Sequence, residues 1–397
     1  MIDALVVGGG LAGAAVATHL AAAGRKVVVF ERRHVPHDKV CGEFLSHEAC
    51  TYLDTLGINL GSLGAVPISA VRIANRNTVT TMALPFPALS LSRGRLDEAL
   101  LQRATAAGAT VHHNTQVQTL TRTNSGCQVR LADDRVISAQ TGFLATGKHD
   151  LRGWKRPAGL QNDLLAFKLH FQLDTSQAKA LKGHVELGLF TGGYAGLSPI
   201  EGGRANLCLL VRRKRFTKIG HTWDNLLAAI REESPHLNER LNGATACSDR
   251  PLALARIPYG YIRRRAHGLF HLGDQAAVIP SFSGDGMSIA LHSAALAAKY
   301  HLAGRDPNHF QRQLARDLKA QVLFATYLSQ GLVRHPLQRL LTGLIRIAPT
   351  LITTTAARTR VPNWALARAR KRGASLACGV KKVRSPSVSS CPGPLAV

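Results

Sequence analysis

The first thirty-three residues, MIDALVVGGGLAGAAVATHLAAAGRKVVVFERR, admit few folds. An apolar run from Ala4 to Val7 leads into Gly8, Gly10 and Gly13 in G-x-G-x-x-G register. The small-residue stretch Ala14 to Ala23 predicts a helix that Gly24 ends, and KVVVF predicts a second buried strand closed by Glu31. Strand, glycine turn, helix, strand and acid in this order form a dinucleotide-binding unit. Gly8 permits the tight turn, Gly10 lets the backbone approach a pyrophosphate, and Gly13 lets the helix lie close on the sheet. The helix start offers free N–H groups to phosphate oxygens. Glu31 can accept hydrogen bonds from ribose hydroxyls, and its neighbour Arg32 is grouped with it as a cofactor contact. FAD and NAD both satisfy this pattern, whereas a carboxylate at the strand end disfavours the 2′-phosphate of NADP.

Composition agrees with an α/β enzyme. The 397 residues are 45% hydrophobic, with 36 glycines and Ala-rich helical stretches, which fits neither a coiled coil nor a β-sandwich. Seven cysteines are scattered without C-x-x-C spacing, so no disulfide framework or metal site is expected, and a reducing, cytoplasmic compartment is. The N-terminus has no basic region ahead of its apolar run, and no apolar stretch reaches the length of about eighteen residues that a membrane span needs. The net charge of +26 invites a nucleic-acid reading, yet thirteen basic and no acidic side chains follow Asp317. Without an RNA-recognition, zinc-finger or helix-turn-helix signature, no specific nucleic-acid partner is expected. What remains for the basic C-terminal region is peripheral contact with an anionic membrane surface, non-specific contact with nucleic acid, or a coding bias towards arginine with no partner at all.

A second segment separates FAD from NAD. After the apolar residues Leu269, Phe270 and Leu272 comes GDQAAVIPSFSGDGMSIA, Gly273 to Ala290, a Pro- and Gly-rich loop that opens a helix. With the N-terminal fingerprint and Arg93-Gly94-Arg95-Leu96-Asp97, it resembles the flavoprotein superfamily that includes p-hydroxybenzoate hydroxylase, the geranylgeranyl reductases and the flavin-dependent halogenases. The resemblance runs from Met1 to about Pro307. It implies that FAD is the cofactor, that Asp274 holds a ribityl hydroxyl, and that Arg93 lies near the flavin. The loop Pro280 to Gly286 would wrap the flavin pyrimidine, with Gly284 and Gly286 allowing N–H groups to approach. The helix that follows would point its positive end at the ring.

KVCGEFLS, Lys39 to Ser46, resembles the C-G-E-x-L-S segment of geranylgeranyl-reductase-like members, which lies by the isoalloxazine. Cys41 is therefore the candidate catalytic residue, with small-residue packing as the alternative, and Gly42 would let the backbone lie close to the ring. Two departures bear on the branch. In FLATGKHDLRG, Thr146 stands where aromatic hydroxylases carry the aspartate that also serves NAD(P)H, leaving Gly147 and Arg152. In GGYAGLSP, Tyr194 and Pro199 match the prenyl-reductase signature, but Gly196 replaces its tryptophan. The halogenase W-x-W-x-I-P signature does not occur.

Leu165, Phe167, Leu169, Phe171 and Leu173 alternate with more polar residues, which predicts a strand buried on one side. HVELGLF and RANLCLLVRR extend this sheet on either side of a GGYAGLSP turn, and His170 and Tyr194 could meet substrate. Leu337, Leu340, Leu341, Leu344, Ile345 and Ala348 follow helical spacing, as for a lid or a membrane-docking helix.

The expected architecture is α/β: a Rossmann-like FAD-binding domain of the p-hydroxybenzoate hydroxylase fold, an interleaved antiparallel-sheet substrate domain, and C-terminal helices. The first would take residues 1–60, 90–160 and 255–306, and the second 61–89 and 161–254. A helical region, 307–360, and a basic disordered tail, 361–397, would follow. The expected activity is oxidation–reduction on a hydrophobic small molecule, aromatic, quinone, polyketide-like or isoprenoid. Monooxygenase hydroxylation comes first and reduction or desaturation of a C=C bond second, with NAD(P)H or a separate reductase as electron donor. A flavin-binding redox partner without substrate chemistry is the reading from another class.

Overall fold

The structure is a computed structural model and describes residues 1–34, 37–334, 336–338, 343 and 358–370. The chain opens with β1 (Ile2–Val7), α1 (Leu11–Ala22) and β2 (Val27–Phe30), then β3 (Phe44–Leu45), α2 (His47–Thr55) and the long hairpin β4 (Val66–Asn75) and β5 (Thr78–Ser90). Next come α3 (Arg93–Ala106), β6 (Thr110–His112) and the meander β7 (Val117–Thr123), β8 (Gly126–Leu131) and β9 (Val136–Leu144). A second series holds β10 (Leu164–Gln172), α4 (Thr175–Leu181), β11 (Gly183–Phe190), β12 (Gly193–Pro199), β13 (Arg204–Arg212), α5 (Arg213–Lys218), α6 (Trp223–Glu233) and α7 (Pro235–Arg240). The chain returns through β14 (Thr245–Ala246), β15 (Leu252–Ala255) and β16 (Phe270–His271) to α8 (Gly286–Leu302), α9 (Pro307–Leu332) and α10 (Asn363–Arg370).

The strands form two sheets. The first has the order β6-β2-β1-β9-β8-β7 with β16 beside β9; β6, β2, β1, β9 and β16 pair in parallel, and β7 to β9 pair antiparallel. Both faces of β1 are buried: Ala4 and Val6 join the core under α1, α3 and α8, while Leu5 and Val7 join the opposite core with Val129 and Leu144. An apolar run without alternation is what such a central parallel strand requires. Gly13 sets how closely α1 lies on this sheet. A Cβ there would stand 1.8 Å from the Gly8 carbonyl oxygen.

The second sheet has the order β14-β10-β13-β12-β11-β4-β5-β3, with β15 also on β10. It is antiparallel except where β11 meets β4 in parallel. Strand β3 places Phe44 and Leu45 at the edge of the second sheet, beside β5. One face packs under α6 and α7 through Leu226, Ile230 and Leu237. The other packs Tyr194 and Leu210 against Tyr259 and Val278.

Three sequence expectations change. GGYAGLSP is not a turn, because Gly193–Pro199 is the strand β12, hydrogen-bonded between β11 and β13. Its small residues let a strand pass where a Cβ on Gly193 would stand 2.2 Å from the Leu210 carbonyl oxygen. Strand β10 is buried on both faces rather than one, with Lys168 at 2% exposure and His170 at 6%. Residues 361–370 are not a disordered tail, since Val361 and Ala365 are buried against the core and α10 forms. Most of the stripe from Leu337 to Ala348 and all residues after Arg370 lie outside the described residues.

Two measurements probe this framework. Gly13→Ala should cost about 3 kcal/mol or abolish soluble expression, whereas Gly286→Ala, where a Cβ would meet nothing within 4 Å, should leave the thermal midpoint unchanged or higher. The second concerns pH. His271 is fully buried, and desolvation pushes its pKa from 6.5 down to about 3. Below 6.5 the unfolded chain binds a proton that the folded chain refuses, so stability should fall as pH drops towards 3, by ~1.4 kcal/mol per unit. Denaturation midpoints at pH 6 and 5 should show a shallower fall in a folded His271→Gln variant.

Candidate functional site

The glycine turn between β1 and α1 is built for an anion. Gly8 has φ +103°, and a Cβ on it would stand 2.5 Å from the Ala145 carbonyl oxygen. Gly9 N–H donates to Glu31 Oε2 at 2.8 Å, and Arg33 N–H donates to Oε1 at 3.0 Å, which fixes the acid beside the turn. Gly10 caps α1 without any side-chain hydrogen bond. A Cβ on Gly10 would reach 3.4 Å from Lys39 Nζ and 3.8 Å from Arg93 Nη2, so two cations overlook the helix start. Both are held by Asp97, at 2.6 Å from Lys39 and 3.0 Å from Arg93. Burial alone would raise the Asp97 pKa, but the charges of Arg93 and Lys39 hold it below the ordinary carboxylate range.

The second wall comes from residues 273–286. Arg156 is nearly buried and donates to the Asp274 carbonyl at 2.8 Å and the Lys148 carbonyl at 2.8 Å, while Asp150 lies 2.6 Å from its Nε. Gln275 Nε2 donates to the Gly147 and His149 carbonyls. These bonds tie the loop after β9 to the Gly-Asp segment. The Asp274 carboxylate is half-buried and has no hydrogen-bond partner among the described residues. Tyr194 Oη accepts from Phe282 N–H at 3.3 Å, and Tyr259 Oη lies 2.8 Å from Ser281 Oγ, so two buried tyrosines carry the loop. Gly284 has φ +70°, and a Cβ there would stand 2.6 Å from Phe44 Cδ1. Helix α8 starts with no side-chain cap, leaving its first N–H groups free of one.

Between these walls lies the segment Lys39–Ser46. Glu43 is fully buried with φ +58°. Its Oε1 stands 2.5 Å from Lys168 Nζ and accepts from Arg93 N–H at 2.8 Å, and its Oε2 lies 2.8 Å from His170 Nε2. Asp38 completes the group at 3.4 Å from both Lys168 and His170. Burial would raise the Asp38 pKa, but Lys168 and His170 outweigh it and hold the carboxyl low. Asp38, Glu43 and His170 have the spacing of a metal-binding set, yet the Lys168 ammonium already sits among them. Cys41 is half-buried. Its Sγ accepts from Glu43 N–H at 3.4 Å, and its carbonyl accepts from Asn206 at 3.1 Å. Lys148 crosses from the β9 loop to donate to the Val40 carbonyl at 2.6 Å.

Residues 1–141 match the family described as FAD binding domain. The chain is an FAD-dependent oxidoreductase with the p-hydroxybenzoate hydroxylase fold. It is similar to "Menaquinone reductase" of Mycolicibacterium smegmatis, 25% identical and covering 76% of each chain. The protein of that name from Mycobacterium tuberculosis is 24% identical, over 75% of this chain and 76% of the relative. Among solved structures, a triple mutant of the flavin-dependent brominase Bmp2 superimposes with a TM-score of 0.74 at 16% identity, covering 93% of this chain and 98% of that one. The myxobacterial chondrochloren halogenase CndH gives 0.72 at 18%, over 93% and 95%.

The residues of this FAD-dependent oxidoreductase fit its cofactor. The space over Gly10, which a Cβ would fill, could take a pyrophosphate between the α1 start and the Lys39 and Arg93 cations. Gly8, Gly10, Gly13, Glu31, Arg93 and Lys39 converge there. Asp274, Pro280, Gly284 and Gly286 line the far wall, and Cys41 and Gly42 lie between. A Cβ on Gly42 or Gly286 would meet nothing within 4 Å, which leaves both open to a ligand. Arg32 is exposed just after β2, close enough to the loop after β9 for its charge to act on His149. His170 and Tyr194 have protein partners rather than facing a substrate space freely. Sequence reasoning passed over Lys39, Glu43, Lys148, Arg156 and Lys168. A glutamate in an apolar segment and a lysine on a buried strand were the available signals.

Glu43→Gln and Lys168→Met should each cost about 3–5 kcal/mol, since each leaves a buried partner unmatched. The double variant should cost at least ~1 kcal/mol less than their sum, measured by chemical denaturation.

Proposed function

We propose that the protein reduces a hydrophobic quinone or isoprenoid compound at a C=C bond. The observation that carries this is the extent of the likeness to the menaquinone reductases. It covers 76% of the chain, whereas the FAD-binding match ends at residue 141, so the likeness continues into the half that holds most of the second sheet. The C-G-E-x-L-S segment and the replacement of the hydroxylase aspartate by Thr146 support the same branch.

Bound FAD supplies the electron pair of the reaction. The chain's part is to hold and shield. Glu31 would hold the adenosine ribose, the α1 start with Lys39 and Arg93 the pyrophosphate, and Asp274 a ribityl hydroxyl. The α8 start would face the pyrimidine end of the ring, where its dipole favours negative charge. Cys41 and Gly42 form a floor that Glu43 keeps from moving. Phe282, half-buried and packed edge-on against Tyr194, offers an apolar side chain suited to a greasy substrate. The electron donor is NAD(P)H or a separate reductase. The single dinucleotide fingerprint is taken by FAD, so a nicotinamide would visit an open groove with a KM near the upper, about millimolar end of the usual range. A quinone substrate also gives the basic C-terminal region a reason to meet a membrane surface. No helix among the described residues is long and apolar enough to cross one.

Hydroxylation is the second reading, favoured by the complete set of Arg93, Gly273-Asp274 and the Pro280 loop. Mixing photoreduced protein with a menaquinone carrying a short isoprenoid chain separates the two. We expect, without air, up to one equivalent of a product heavier by two hydrogens in its isoprenoid side chain, scored after the quinol ring has been reoxidised to the quinone. A product heavier by one oxygen, formed only with air present, would replace reduction by hydroxylation.

A further inference from the structure

The far end of the chain reaches the loop that precedes α8. Arg360 Nη1 donates to Asp285 Oδ1 at 2.9 Å, and Nη2 donates to the Ser283 carbonyl at 2.6 Å. Its guanidinium carbon lies 4.7 Å from the Phe86 ring centre and 5.8 Å from that of Phe44. One side chain thus joins the loop into α8, the Cys41–Ser46 segment and β5, and all three converge on the ring end of the cofactor site. Asp285 is fully buried, and its Oδ2 has no hydrogen-bond partner among the described residues. Desolvation raises its pKa to about 7 against the pull of Arg360. The segment is anchored a second time, away from the loop: Arg368 Nη1 donates to Asp317 Oδ1 at 2.7 Å, and Lys299 Nζ donates to the Arg368 carbonyl at 2.7 Å.

We propose that Arg360 is a positioning residue for the flavin, which makes the C-terminal segment part of the cofactor site. The proposal rests on the flavin reading of the Pro280–Gly286 loop. The physical need is specific. An ionised Asp285 at the start of α8 would set a negative charge against the helix end that should receive the electron-rich edge of the ring. A planar guanidinium neutralises that charge with one arm and fixes the Ser283 carbonyl with the other. Its stacking on Phe86 and Phe44 holds the Phe44 ring against Gly284, where no Cβ could fit.

The test uses full-length protein stripped of FAD, with FAD titrated back and followed by flavin fluorescence. Circular dichroism reports folding. Arg360→Met should weaken FAD binding about ten-fold or more. Arg360→Lys, which keeps the charge and a donor but loses the fork, should recover part of that loss. Asp285→Asn combined with Arg360→Met should weaken binding by less than the product of the two single effects. Arg368→Met, which frees α10 from α9, should lower the melting temperature and leave FAD affinity within about three-fold. A folded Arg360→Met protein with wild-type affinity would overturn the proposal, as would equal losses in Arg360→Met and Arg368→Met. If Arg360→Met does not fold, unchanged affinity in both Arg360→Lys and Asp285→Asn overturns it. Failure of the wild-type protein to take up FAD would instead remove the flavin reading itself.

Discussion

The carboxylate of Glu43 lies in the interior, and the geometry around it follows from the need to satisfy its charge. Lys168 and His170 reach it from β10, and the Arg93 N–H reaches it from the start of α3. An ionised group without such partners could not stay buried. The segment carrying it must therefore stop where the second sheet and α3 meet. Glu43 accepts a left-handed backbone there, at φ +58°, a strain of order 1–3 kcal/mol that the surrounding bonds hold in place. Once Glu43 is fixed, Cys41 and Gly42 lie between the two sheets, and the Arg93 side chain turns to Asp97 and Lys39 over the glycine turn.

This arrangement explains why the site is assembled from distant pieces of chain. The first sheet supplies a rigid anion cradle, because Gly13 lets α1 touch the backbone of Gly8. The second sheet supplies the wall through Tyr194, and with Tyr259 from the chain after β15 it holds the loop after Pro280 by two hydroxyls. Arg156 and Gln275 bind the loop after β9 to the Gly-Asp segment. A cofactor as long as FAD spans such a site end to end. The protein's share of the chemistry is then to fix the cofactor against the substrate wall and keep water out.

The sequence by itself determined the nucleotide-binding half, because its requirements are local. A turn needing φ +103° at Gly8 and a helix needing no Cβ at Gly13 leave few other residues possible, and the apolar runs of β1 and β2 state their burial directly. In the loop Pro280–Gly286 only the glycine punctuation was local, with Gly284 at φ +70°; its flavin role came from the family resemblance. What only the tertiary structure decided depends on partners far apart in the chain. The polar face of β10 reads as solvent-facing until Glu43, 125 residues from Lys168, is brought against it. GGYAGLSP reads as a turn until β11 and β13 flank it, and its glycines serve close strand approach rather than reversal. Arg360 reads only as the last residue of a C-terminal helical region, because no local pattern records that Asp285, 75 residues earlier, waits inside the protein for a cation. Charge pairing of this kind is a property of the folded interior, where desolvation makes each unmatched charge costly, and no periodicity along the chain encodes it.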